Sequence, residues 1–187
     1  HDKFKDKLGF KDCHVRELGI YALPDPRLKS YIPQIYDCYK NLEREAFVVV
    51  MEDLSGLELM NTADNVSGWT REHVEAAIDG VAELHSIGLG RAEEMQLLPW
   101  LGEVMTSETM VELIPLWRSL IDHAAEEFAE WFEWNDKSRV MARVHEIPEW
   151  CPIYESLPRT LIHNDFNPRN IGFRRDDKGL RLCAYDW

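Results

Sequence analysis

The stretch Leu161-Ile162-His163-Asn164-Asp165-Phe166-Asn167-Pro168-Arg169-Asn170-Ile171-Gly172 and the tail Ala184-Tyr185-Asp186-Trp187 leave the chain between them little choice of fold. Ile171 to Arg174 is short and partly apolar. Arg175-Asp176-Asp177-Lys178-Gly179 is a polar turn with a glycine able to take positive φ. Leu180, Leu182 and Ala184 then alternate with Arg181, Cys183 and Tyr185, the period of a strand. A hairpin with its tip near Lys178 places Asn170 and Asp186, equidistant from that lysine, side by side. Pro168 keeps the segment between Asp165 and Asn170 from continuing as a helix. The expected product is a compact loop presenting the Asp165 carboxylate, with the Asn170 amide oxygen and the Asp186 carboxylate beside it.

Hard oxygen ligands of this kind suit Mg2+, which is usually held by one or two protein groups together with phosphate oxygens and water. Asp165 is then free to orient an attacking hydroxyl and accept its proton. Phosphoryl transfer asks this of a protein, since the work is mostly positioning and charge neutralisation. Taken singly, each piece has a plainer reading: an ordinary turn, a helix-capping Asp165, a strand-ending Asp186. Asp, Asn and Asp together at these spacings favour the chemistry. His163 reads as a residue that holds the loop by hydrogen bonds.

His163-Asn164-Asp165, then Asn170, then Asp186 after a hairpin, resemble the catalytic and metal-binding motifs of the protein-kinase-like superfamily. The likeness is closer to the aminoglycoside phosphotransferase and choline kinase branch than to protein kinases. Asn164 stands where protein kinases carry arginine, and Trp187 follows Asp186 in place of Phe-Gly. The resemblance implies an α+β, two-lobed fold, with part of the small β lobe in residues 1–54 and part of a mainly helical large lobe in 55–187. It implies ATP and Mg2+ as cofactors, with Asp165 as catalytic base and Asn170 and Asp186 as metal ligands. It implies that Glu17 pairs with the lysine holding the ATP α- and β-phosphates. It also makes Met51, Glu52, Asp53 and Leu54 a hinge whose main chain meets adenine.

The lysine itself has no candidate. Lys3, Lys5, Lys7 and Lys11 lie in no strand-like pattern, and no glycine-rich phosphate loop precedes them. With His1 in first place and Trp187 in last, the chain is expected to be the middle portion of a longer protein, truncated at both ends. The acceptor implied is a hydroxyl of a small molecule, and aminoglycoside, choline-like, sugar and lipid-like alcohols all stay open. Two other classes stand beside this one: a non-catalytic nucleotide-binding scaffold, disfavoured by the intact Asp165, Asn170 and Asp186, and a protein Ser/Thr kinase, disfavoured by Asn164, Trp187 and the long stretch between His85 and His163.

Composition narrows the partners. With 21 basic and 34 acidic residues the net charge is −13, which disfavours nucleic acid and anionic membrane and is compatible with a cationic substrate. Cys13, Cys38, Cys151 and Cys183 are scattered without metal-site spacing and read as reduced thiols of a cytoplasmic protein. No apolar run approaches the roughly 20 residues of a membrane span.

Elsewhere the patterns are coarser. His1 to Asp12 is patternless. Val15 to Ala22 has Leu18 and Tyr21 or Ala22 on one helical face, ending before Pro24. Tyr31 to Tyr39 alternates as a strand, Asn41 to Glu45 is a turn, and Ala46 to Met51 is a buried strand. Thr70 caps a helix whose apolar face runs through Val74, Ala77, Ile78, Val81 and His85 before Gly88, making His85 a core histidine. Leu89 to Gly102 is a connection. Thr106 or Ser107 begins a second helical stretch, and Pro115 either starts or kinks its main helix. The stripe from Met110 to Phe132 reads as core. Trp131, Phe132 and Trp134, with Glu126, Glu127, Glu130 and Glu133, offer a second reading as a pocket for ammonium groups. Val140 to His145 is a short helix, and Pro148, Pro152 and Pro158 break the chain beyond it into extended segments.

Overall fold

The computed structural model describes residues 12–101, 104–131 and 136–187. These divide into two compact units, one of residues 12–101 with 158–187 and one of residues 104–157. The stretch before Asp12, with Lys3, Lys5, Lys7 and Lys11, lies outside the described residues, as do Phe132, Glu133 and Trp134 of the aromatic-acidic pocket reading.

The first unit opens with α1 (Cys13–Ala22), whose buried face is Leu18, Gly19, Ile20 and Tyr21. It stops before Pro24, as the proline requires. The short α2 (Pro26–Lys29) has Asp25 as its cap and a proline in its first turn. Then β1 (Ile35–Asn41) and β2 (Ala46–Met51) pair antiparallel, with an irregularity between Ile35 and Asp37. The expected strand began at Tyr31. It starts four residues later, because Tyr31 lies in the turn after α2, where its N–H donates to Leu28.

β2 is not the buried strand its β-branched run suggests. Val48 and Val50 are about half exposed, while Phe47, Val49 and Met51 are only partly covered. A β-branched run registers pleated geometry, not how many faces are packed.

A 3-10 turn (Leu54–Gly56) follows, then α3 (Arg71–Gly88), α4 (Ala92–Gln96), and the hairpin of β3 (Ile171–Asp176) and β4 (Gly179–Ala184). α3 begins at Thr70 with a capping box, in which the His73 ring accepts the Thr70 N–H. Its buried face is His73, Ala77, Gly80, Leu84 and Ile87; Val74 and Ile78 are exposed. The buried stripe is thus rotated from the expected one, and His85 is half-buried instead of being a core histidine. The cause is Gly80. With no side chain it lets α3 approach β4 so closely that a β-carbon there would sit 2.5 Å from the Leu182 Cβ. Buried histidine character belongs to His73, whose second ring nitrogen faces Glu58.

The core gathers Ile20, Tyr21, Leu28, Ile32, Leu84, Ile87, Leu161, Ile171, Phe173 and Leu182 around the hairpin. The turn is tighter than the polar run suggests. Asp176 pairs with Gly179, leaving a two-residue tip of Asp177 and Lys178, and Gly179 takes φ 115°. Cys183 is buried along with Leu182 and Ala184, so β4 is covered on both faces and its apolar–polar alternation marks no exposed side.

The second unit is helical: α5 (Ser107–Glu112), α6 (Ile114–Glu127), a 3-10 turn (Ala129–Trp131), α7 (Asp136–His145) and α8 (Ile147–Glu155). Thr106 caps α5, and Pro115 begins α6 without kinking it. The stripe read as core is shallow among the described residues. Leu113 and Leu116 are buried, whereas Leu120 and Phe128 are over two-fifths exposed. Pro148 and Pro152 do not make extended chain. Pro148 sits in the first turn of α8, where its missing N–H is an orphan anyway, and Pro152 removes one internal hydrogen bond from a helix anchored by buried Ile147 and Cys151.

Candidate active site

Asp165 sits in a loop built from local hydrogen bonds. Asn167 and Pro168 begin a turn in which the Asn170 N–H donates to the Asn167 carbonyl at 3.0 Å, with proline at the second position. The Asn167 side-chain oxygen accepts the Arg169 N–H at 2.8 Å, the Asx geometry this residue favours. From that turn two amides reach back to Asp165. Asn167 Nδ2 donates to Oδ1 at 2.9 Å and Asn170 Nδ2 to Oδ2 at 2.8 Å. Both also donate to the Asp165 carbonyl at 3.0 Å. The carboxylate is exposed yet held at both oxygens.

His163 fixes the other side of the loop. It is 6% exposed. Nε2 donates to the Tyr185 carbonyl at 3.0 Å, so that nitrogen carries the proton, and Nδ1 accepts the Asp165 N–H at 3.3 Å. Burial holds the imidazole pKa below its ordinary value, in agreement with a neutral ring. Trp187 lies 4.5 Å away, ring centre to ring centre. The imidazole therefore joins the loop to the chain end by hydrogen bonds, as its position suggested.

Asn170 is 2% exposed, and its amide nitrogen is engaged by Asp165, which leaves the amide oxygen as the side-chain atom available to a cation. Across the hairpin its partner is Tyr185, whose N–H donates to the Asn170 carbonyl at 2.9 Å; it is not Asp186. The expected side-by-side pairing of Asn170 with Asp186 is off by one residue, because the tip falls between Asp177 and Lys178 and not on Lys178. Asp186 instead follows Asn170's partner and takes φ 58°, in the left-handed region, so the chain turns sharply at the carboxylate. Asp165 and Asp186 both lie within electrostatic range of His163.

On α1, Glu17 is half-buried near Asp186. Burial, and secondarily the Asp186 charge, push its carboxyl pKa up, while a hydrogen bond from the Tyr21 hydroxyl opposes the shift. Met51 ends β2. Glu52 is anchored three ways. Its N–H donates to the Gln34 carbonyl at 2.9 Å, its carboxylate accepts the Gln34 N–H at 2.6 Å, and Arg174 of β3 grips both its oxygens. The Arg174 bond in particular holds the Glu52 pKa below the usual carboxylate range. Asp53 caps the 3-10 turn through the Ser55 N–H at 2.9 Å. The Leu54 N–H, at the start of that turn, is one of the donors a helix start leaves without an intrahelical acceptor.

Asn167, Tyr21 and Tyr185 were not singled out from the sequence. Asn167 had a legible signal, an Asn-Pro two residues past the key carboxylate. Tyr21 had one too, lying one helical turn beyond Glu17. Tyr185 had none, since its contributions are main-chain groups.

An exposed carboxylate at Asp186 and an amide oxygen at Asn170 are donors for a small hard cation, not a thiolate- or imidazole-loving one. Among the described residues no three or more His, Cys, Asp or Glu side chains converge on a metal position, so a cation here would complete its shell from water or a phosphate-bearing ligand. No helix among them is long and apolar enough to cross a membrane. A model of a phosphotransferase enzyme family, APH, matches residues 13–187. No curated protein and no solved structure matches the chain.

Proposed function

Because the chain belongs to the phosphotransferase enzyme family, we propose that it moves the γ-phosphoryl group of ATP to a hydroxyl of a small molecule. The observation that carries this reading is the Asp165 loop, in which an exposed carboxylate is gripped by Asn167 and Asn170 while His163 ties it to the segment of Asp186. Such a carboxylate cannot swing away from an incoming hydroxyl, and it retains lone pairs to accept the hydroxyl proton. Asn170 and Asp186 supply the oxygens for Mg2+. When bound, that ion neutralises charge on the phosphate oxygens. The Met51–Leu54 hinge receives adenine through main-chain groups, with the Leu54 N–H as a donor, while Glu52 is held by Arg174 and keeps the hinge in place. Glu17 serves as the carboxylate partner of a phosphate-binding lysine. In this reading residues 1–54 belong to the small lobe and 55–187 to the large one.

Charge bears on the acceptor class. A net charge of −13 favours a neutral or cationic alcohol over an anionic one. The test is a Mg2+-ATP transfer screen on the intact protein against amino and neutral alcohols, with Asp186→Ala as the control. Transfer to one alcohol that Asp186→Ala abolishes is the expected result. Absence of any nucleotide binding overturns the reading. Transfer to a peptide hydroxyl and to no small alcohol replaces it with a protein kinase.

A further inference from the structure

Tyr21 is buried in the core of the first unit, 2% exposed, yet its hydroxyl reaches the main chain of the candidate site. The Asp186 N–H donates to the phenol oxygen at 3.2 Å. The backbone amide is the donor in this contact, so the phenol oxygen is the acceptor and keeps its own proton. Glu17 and Tyr21 are four residues apart on α1, hence on one face and one turn from each other. The C-terminal end of the helix is held as well, because Lys29 Nζ donates to the Tyr21 carbonyl at 2.6 Å.

The Asp186 end of this contact is the unusual one. A non-glycine residue at φ 58° persists only where its surroundings over-determine it. Its neighbours are each fixed, Tyr185 by its N–H on Asn170 and Trp187 by its indole N–H on the Ala184 carbonyl at 3.3 Å. The remaining main-chain handle is the N–H of Asp186 itself, and Tyr21 takes it. We propose that Tyr21 is a positioning residue, whose hydroxyl ties α1 to the backbone of Asp186 and so sets the Asp186 carboxylate in register with the helix. The inference rests on the phosphotransferase reading for its catalytic consequence but not for the tether.

The tether has a direct consequence. Any displacement of α1 moves the phenol and releases or strains the left-handed turn at Asp186.

Tyr21→Phe keeps the ring in the core and removes only the hydroxyl. Amide hydrogen exchange, read on the intact protein without metal or nucleotide, is the first measurement. The Asp186 amide is expected to exchange roughly three- to tenfold faster, the size of one net hydrogen bond, while α3 amides are unchanged. The second is a kinetic split. The Mg2+ concentration for half-maximal turnover rises several-fold, and the KM for the acceptor alcohol stays put. Unchanged exchange at Asp186 overturns the tether whatever the activity does. Faster exchange throughout α3 as well reduces Tyr21 to a core residue and also overturns it. Faster exchange at Asp186 with an unaltered Mg2+ requirement removes the positioning role. If the parent protein transfers no phosphoryl group to any acceptor, the phosphotransferase reading fails separately, and the exchange result still decides the tether.

Discussion

Substituting Gly80 by alanine sets two effects of known size against each other. Glycine inside a helix is about 0.5–1 kcal/mol worse than alanine, so on propensity alone Gly80→Ala stabilises α3. The structure opposes this. The added carbon would lie 2.5 Å from the Leu182 Cβ and 2.7 Å from its Cδ2, inside any real contact. The nearest atom belongs to the root of a side chain on β4, not to a flexible tip, so relief requires helix and strand to separate. Overpacking of that kind costs roughly 1–3 kcal/mol. Steric cost therefore wins, and the net loss is about 1–2 kcal/mol, or a fall in Tm of about 2–8 °C. Thermal and urea melts of the purified protein measure it. Because the clash is with Cβ, the loss should persist in a Leu182→Ala background. A Gly80→Ala protein that melts above its parent would refute the reasoning, since α3 and β4 would then not approach as closely as described.

Three further outcomes rest on the same geometry. Arg174→Ala strips the guanidinium from Glu52; the pair is partly buried, with side chains 28% and 22% exposed, so the loss falls between a surface and a buried pair at about 1–3 kcal/mol, and nucleotide KM should rise. Glu52's folded pKa lies below its unfolded value near 4.5, so this contribution is present above pH 4.5 and lost as pH falls through the folded pKa. The stability gap between parent and variant must close there, and a gap that stays constant to lower pH would remove the ion pair as its source. His163→Phe leaves the Tyr185 carbonyl and the Asp165 N–H without partners, for a loss of about 1–3 kcal/mol and a fall in turnover of roughly a hundredfold as Asp165 shifts; unchanged turnover would show that the loop holds without it. Asp165→Asn should leave nucleotide affinity nearly intact, measured by titration, and cut turnover by about two to four orders of magnitude; strong residual turnover takes Asp165 out of the base role.

Much of the local architecture was written in the chain. Pro24 set the end of α1, Thr70 the start of α3, Thr106 the start of α5, and the polar run before Gly179 the hairpin. These are signals of short range, carried by a missing N–H, a capping oxygen or a glycine at positive φ, and each acts whatever else packs nearby. The loop around Asp165 was legible in part for the same reason, since Asn167-Pro168 and the spacing to Asn170 limit where the amides can go. What the sequence did not determine is which faces are covered and in what register. The buried stripe of α3 was decided by the close approach of Leu182 to Gly80, a contact between residues far apart in the chain. The half-open β2 and the shallow stripe of α6 depend likewise on what lies across from them. One residue of hairpin register put Tyr185, not Asp186, opposite Asn170 and sent Asp186 into a left-handed turn. Propensity and spacing are properties of a segment, whereas burial, register and a phenol that meets a backbone amide from the other end of the chain exist only once the segments have packed.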